Sequence, residues 1–364
     1  MQPPDGSKLR ILYAGPRVPG SLSVVRCSAL EELGPSLVWF DYVPFERVLY
    51  GPLAIRAVRR VFPRMFLGPI NRAFVAAVEE ARPDIVYVDK GIFFTEGTIR
   101  RTMEVRSPAG VRPVFLHFHP DDAFNPLIYH DLYEKTVPLW DCHFIPHHWV
   151  IDQLRTRGAK RVEYWPFGYY PPVHSPLAAQ ETAAPDVNVD VAFVGRFERG
   201  RANDLERLVR EGIDVGIWGT SWDNLAAGSP LRPAVRWRSA IGRELAAVAT
   251  RSKISLGFLS DTSINGHTSR TFEIPACGGF MLAQRSDGQL EFFEEGKEMV
   301  CFDSYDEMRD KIRWYLSHDA EREKIRLAGL ERCRRSGYSY VERFRFVLRV
   351  AGECRAGLGQ GTVG

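Results

Sequence analysis

What this 364-residue chain lacks narrows it first. No apolar run approaches the ~20 residues that a membrane-spanning helix needs, and the opening MQPPDGSKLR has no apolar signal core. Both absences point to a cytoplasmic protein. The six cysteines (Cys27, Cys142, Cys277, Cys301, Cys333 and Cys354) form no C-x-x-C pair, so buried thiols in a reducing compartment are expected rather than a disulfide framework. The first glycine-bearing loop, Gly15 to Gly20, is not G-x-G-x-x-G, and no acidic residue follows at the distance a dinucleotide ribose requires. That disfavours a nicotinamide-dependent oxidoreductase. Charge of one sign is scarce: a net +3 gives no global argument for nucleic acid. Arginine far outnumbers lysine, which suits phosphate recognition but is explained better by a GC-rich genome. No internal repeat is visible.

What is present is a globular composition, 45% hydrophobic and 26% charged, in a chain long enough for two domains with their own cores. Short apolar runs alternate with helical stretches: Leu9–Ala14, Leu37–Phe40, Asp84–Val88, Val114–Phe118, Cys142–Ile145 and Val162–Trp165. After the aromatic and proline-rich Trp165–Pro172 and a polar linker at Ser175–Val189, a second set follows: Val191–Val194, Val215–Trp218, Ile254–Leu259, Phe280–Leu282 and Met299–Phe302. The pattern predicts α/β architecture, two doubly wound Rossmann-like domains sharing a cleft. The boundaries are 1–170 and 171–337, with a last helix over 338–356 and a Gly-rich, disordered tail over 357–364.

The segment Arg251–Phe302 is the most informative. It reads as strand, polar loop, helix and strand, with the loop at the carboxyl edge of a parallel sheet, where open α/β sheets bind ligands. Ser269 and Arg270 open the helix, whose N–H groups and guanidinium suit a phosphate. Glu273 lies one turn in, placed to accept hydrogen bonds from a ribose diol. Gly195–Arg201 is a second loop of this kind, after the Val191–Val194 strand and before a helix expected at Asp204. Arg196 and Arg201 are its cations; a pair of solvated surface arginines is the plainer reading.

In the first half, Phe115–Asp122 (FLHFHPDD) ends a strand with His119, Asp121 and Asp122 just past its edge. Such groups can take a proton from an acceptor hydroxyl, while Asp121–Asp122 capping a following helix is an equal alternative. His117, His119, His143, His147 and His148 match no zinc spacing, and no metal is expected. Arg47–Arg72 mixes arginines with apolar residues: a core-facing helix pair with a basic face, or a surface for peripheral membrane contact.

Arg270-Thr271-Phe272-Glu273-Ile274-Pro275-Ala276-Cys277-Gly278 and Phe292–Glu298 together resemble the donor region of GT-B glycosyltransferases, most closely the CgeB-type, spore-maturation-like group. The resemblance is good over the second half and loose over the first. It implies a GT-B fold whose last helix crosses back to the first domain. It also implies transfer of a sugar from a nucleoside-diphosphate donor to a hydroxyl of a glycan, small-molecule or lipid-linked acceptor. By resemblance to the retaining, family-4-like GT-B enzymes, Arg196 and Arg201 match the arginine and lysine on the donor diphosphate, and Glu273 the second glutamate of a Glu-x7-Glu pair that holds ribose. The first glutamate falls at Asn265, so Asn265 or His267 is left to contact the sugar. Gly15 and Arg17 become residues of the cleft floor, and the Phe115–Asp122 stretch resembles an Asp-Asp-Pro loop of the group. No Asp-x-Asp of the GT-A kind is present, so transfer without metal is expected, and the resemblance to the family-4-like members implies retention. A nucleotide-sugar-binding protein of the same fold without turnover, in cell-surface or spore-coat assembly, is the alternative.

Overall fold

The computed structural model describes residues 8–45, 63–126, 131–178, 181, 185–260 and 266–360. The chain divides into two compact units, one of residues 1–166 with 341–364 and one of residues 167–340.

In the first unit six parallel strands form one sheet: β1 (Arg10–Gly15), β2 (Ser36–Asp41), β3 (Ile85–Asp89), β4 (Val114–Phe118), β5 (Cys142–Ile145) and β6 (Val162–Tyr164). Their order is β2-β1-β3-β4-β5-β6. β3, β4 and β5 are buried along their whole length, as strands covered on both faces must be. The strand order reverses between β1 and β3, so the carboxyl ends of these strands, Gly15 and Asp89, bound the topological switch point. Gly15 is required there: a Cβ on it would lie 2.3 Å from Ser23 Oγ.

The last helix, Tyr340–Gln360, belongs to this unit from Val341 onward. Its backbone accepts a hydrogen bond at Arg343 O from Trp165 Nε1, and Phe344 packs on Tyr87 and Trp165. Arg355 reaches Asp84 at 2.8 Å. The helix runs on through Gln360, so 357–360, expected to be disordered, are helical. Of the basic stretch 47–72, residues 47–62 lie outside the described residues; the rest opens the helix Pro63–Ala81.

In the second unit, β7 (Val191–Val194), β8 (Val215–Trp218), β9 (Ile254–Gly257), β10 (Met281–Gln284) and β11 (Val300–Phe302) form a parallel sheet in the order β11-β10-β9-β7-β8. The switch point lies between β7 and β9. The supposed linker contributes to this core: Val187 and Val189 are buried with Trp218, Ala240 and Val248. The helix expected from Asp204 starts at Arg199, which puts Arg201 in its first turn. Gly200 lies in that first turn, where its cost of up to ~1 kcal/mol is tolerated.

Candidate functional site

The carboxyl ends of β7 and β9 open into a recess lined by Val194, Gly195, Arg201, Gly257, Ser260, Thr268, Ser269 and Arg270, among others. The two loops singled out from sequence therefore converge on one site at the switch point. Gly266 is seated where Ser286 Oγ donates to its carbonyl at 2.6 Å; a Cβ on Gly288 would lie within 3 Å of the Gly266 backbone, so glycine is needed there.

Arg201 is largely buried in the wall of this recess. Its Nη2 donates to Glu198 Oε2 at 2.6 Å and to Leu259 O at 3.0 Å, and the guanidinium lies over the Phe193 ring. Glu198 in turn accepts from Ser260 Oγ at 3.2 Å. These contacts hold Arg201 in one place at the recess, whereas Arg196 is exposed at the mouth of the same loop. Arg270 Nε donates to Val194 O at 3.1 Å, which ties the helix Arg270–Ala276 to the end of β7.

Two residues sit differently from expectation. Glu273 is 1% exposed and is not on the recess wall: its carboxylate pairs with Arg270 Nη1 and faces His174 Nε2 at 3.6 Å. A ribose diol would have to displace Arg270 to reach it. His267 is buried among Phe167, Phe272 and Phe292, and its Nε2 accepts the Phe167 N–H at 3.2 Å. That contact fixes the loop and leaves the imidazole inside the fold rather than at a sugar. Asn265 lies outside the described residues.

In the first unit, β4 delivers His119 to the sheet's carboxyl edge, and Lys90 follows β3 beside it. Lys90 Nζ lies 2.6 Å from Asp121 Oδ2, and the pair holds the Asp121 carboxyl below its ordinary range against the opposing effect of burial. Lys90 adopts φ 72°, a left-handed conformation uncommon for a lysine, with its N–H bonded to Phe118 O at 2.8 Å. Sequence reading passed over Lys90; its place directly after a strand, before Gly91, was the available signal.

His119 is buried, which lowers its pKa to about 4 and keeps it neutral at pH 7. Its Nδ1 lies 2.9 Å from the Asp121 carbonyl and 3.3 Å from the Asp121 N–H, so the backbone of that residue holds the ring in place. Asp122 does not share this role. Its Oδ1 accepts the Phe124 N–H at 3.1 Å and its Oδ2 accepts Trp149 Nε1 at 3.0 Å, so both oxygens shape the loop.

His117 and His143 are core residues; His143 Nε2 donates to Val137 O at 2.9 Å and its Nδ1 accepts from Tyr133 Oη at 3.1 Å. At the switch point Gly15 O accepts from Trp39 Nε1 at 2.8 Å, and Arg17 is exposed, its guanidinium over the Trp39 ring. Beneath them Asp89 is gripped by Arg26 and accepts from Tyr13 Oη at 2.7 Å, a buried network that no sequence motif announced.

Residues 201–349 match a family model described as glycosyl transferase-like. No curated protein matches in sequence. Similar solved structures are sucrose-phosphate synthase from Thermosynechococcus elongatus (12% identity, TM-score 0.67, 96% of this chain and 100% of that one) and Anabaena Alr3699/HepE in complex with UDP-glucose (11%, 0.64, 95% and 100%). A glycosyltransferase from Rickettsia africae ESF-5 is also similar (12%, 0.62, 96% and 99%). With two parallel Rossmann-like sheets and these likenesses along nearly its whole length, the chain has the GT-B fold of glycosyltransferases.

Proposed function

We propose that the protein transfers a sugar from a nucleoside-diphosphate donor to an acceptor hydroxyl, with the donor diphosphate in the recess between β7 and β9. The observation that carries this reading is the convergence of Arg201 and Arg270 on that switch-point recess, inside the segment that matches the glycosyl transferase-like family. The UDP-glucose complex of HepE, a protein of the same fold, supports a nucleotide sugar as donor.

In this reading Arg201, Arg270 and the exposed Arg196 neutralise the charge that grows on the diphosphate as the bond from the sugar's anomeric carbon breaks. Ser269 offers a hydroxyl at the same wall. Fixed arginines do this without a metal ion, and we assign the reaction to metal-independent transfer with retention, as in the family-4-like group. The neutral His119 imidazole is the proton acceptor for the incoming hydroxyl, with Asp121 held as an anion by Lys90 beside it.

The test is release of nucleoside diphosphate from a panel of nucleotide sugars, with a broad set of acceptors and with His119→Gln and Asp121→Asn. Turnover in the wild type, lost in the His119 variant while donor affinity is kept, is the expected result. Donor binding without turnover under any acceptor would favour a nucleotide-sugar-binding protein; no donor binding would overturn the reading.

A further inference from the structure

We infer that Glu273 acts through Arg270, as the buried anion that fixes this guanidinium at the recess, with His174 covering the other face of Glu273. The inference deepens the donor-site reading and rests on it for the identity of the ligand, not for its chemistry, which is a diphosphate group.

The geometry is specific. Arg270 is 26% exposed on its side chain and is held at two points, Nε to Val194 O at 3.1 Å and Nη1 to Glu273. Among the described residues Nη2 has no protein partner, and it remains available at the recess wall. A carboxylate buried to 1% is costly unless its charge is matched, and Arg270 supplies the match.

The other face of Glu273 meets His174, itself 3% exposed. His174 Nδ1 accepts the Tyr170 N–H at 3.1 Å, so its proton must sit on Nε2, turned toward Glu273 Oε1 at 3.6 Å. The turn Tyr170–His174 is bolted in place by Arg243, whose Nη1 donates to Val173 O at 3.3 Å and Ser175 O at 2.9 Å and whose Nη2 pairs with Glu181. A chain of contacts thus runs from the helix Arg243–Arg251 to His174, Glu273, Arg270 and the recess. Glu273 orients a phosphate ligand and does not touch the ribose.

Inorganic pyrophosphate and the free nucleosides separate the two roles. Affinities are measured by calorimetry for the wild type, Glu273→Gln, Arg270→Ala and the double variant. If Glu273 holds Arg270, pyrophosphate binding weakens about tenfold or more in each single variant. The double variant is then no weaker than Arg270→Ala alone, and nucleoside affinity is unchanged. If Glu273 binds ribose, Glu273→Gln weakens nucleosides, leaves pyrophosphate unchanged and adds to Arg270→Ala; that outcome overturns the inference.

Should Glu273→Gln fail to fold by circular dichroism, Arg270→Lys decides. A charge on a flexible stem lacks the two-point hold, so pyrophosphate affinity must fall about tenfold with nucleosides untouched; unchanged pyrophosphate affinity overturns the inference. Wild-type protein that ignores pyrophosphate also overturns it. Pyrophosphate binding with no gain from any nucleoside diphosphate would instead count against the donor assignment.

Discussion

Arg26 and Asp89 form a buried ion pair at the head of the first sheet: Nη2 and Nε of the arginine lie 2.7 and 3.1 Å from Asp89 Oδ2, and Nη2 lies 3.0 Å from Oδ1. Asp89 closes β3 and Arg26 comes from the helix Leu22–Glu31, so the pair pins that helix to the switch point of the first unit. Removing one partner strands a buried charge and costs about 3–5 kcal/mol, whereas removing both with apolar replacements costs much less. Urea denaturation of Arg26→Met, Asp89→Leu and the double variant checks this. Equal losses that add in the double variant would contradict it.

The C-terminal helix is expected to hold the first unit together. Phe344 is fully buried against Tyr87 and Trp165. Phe344→Ala should therefore cost about 3–5 kcal/mol of unfolding free energy. Chemical denaturation reads this directly, and a loss under 1 kcal/mol would mean that the helix end is not integral to the core.

Most of this architecture was legible from sequence, because strands buried on both faces write themselves as short apolar runs. Val114–Phe118, Cys142–Ile145, Val191–Val194 and Val215–Trp218 stand where the runs are. The two loops of the recess were legible for the same reason: each follows such a strand. What was not legible depends on three-dimensional partners. Glu273 at its helical spacing reads as a ligand residue, and only its burial, paired with Arg270 and covered by His174 from a turn about a hundred residues earlier, makes it a supporting carboxylate. Lys90 has no motif; its importance comes from β4 placing Asp121 across from it. Asp122 looks identical to Asp121 in sequence and differs because Trp149 and Phe124 N–H use both its oxygens.

Stability should rise with pH across the acidic range. Burial lowers the pKa of His119, His143 and His147 to about 4 from the ordinary 6.5. Between those values the unfolded chain binds protons that the folded chain does not, so unfolding is favoured as pH falls. The stabilisation is present above about pH 6.5 and is lost toward pH 4, at up to about 3 kcal/mol for each histidine. Urea midpoints from pH 7.5 to 4.5 measure it. A flat profile would contradict the burial of these rings.

Arg201 should matter to phosphates in proportion to how firmly it is held. Arg201→Ala is expected to weaken nucleoside diphosphate binding about tenfold to a hundredfold, and Arg201→Lys to recover only part of it, since a compact ammonium lacks the planar fork that serves Glu198 and Leu259 O through one nitrogen and keeps another for a phosphate. Isothermal titration of the three proteins decides. Full recovery by lysine would show that net charge alone is needed.

The most direct test of a nucleotide sugar in the β7–β9 recess is a thermal-shift screen of the wild type against UDP, GDP, dTDP, ADP and their sugar conjugates, repeated with Arg201→Ala and Arg270→Ala. A ligand that binds only the folded state raises the melting temperature by mass action, by about 2.7 kcal/mol of apparent stability at a hundredfold excess over Kd. The account predicts a clear rise with one nucleotide series, reduced or abolished in both variants. No rise with any of them at millimolar concentration, or a rise that both variants retain in full, would contradict it.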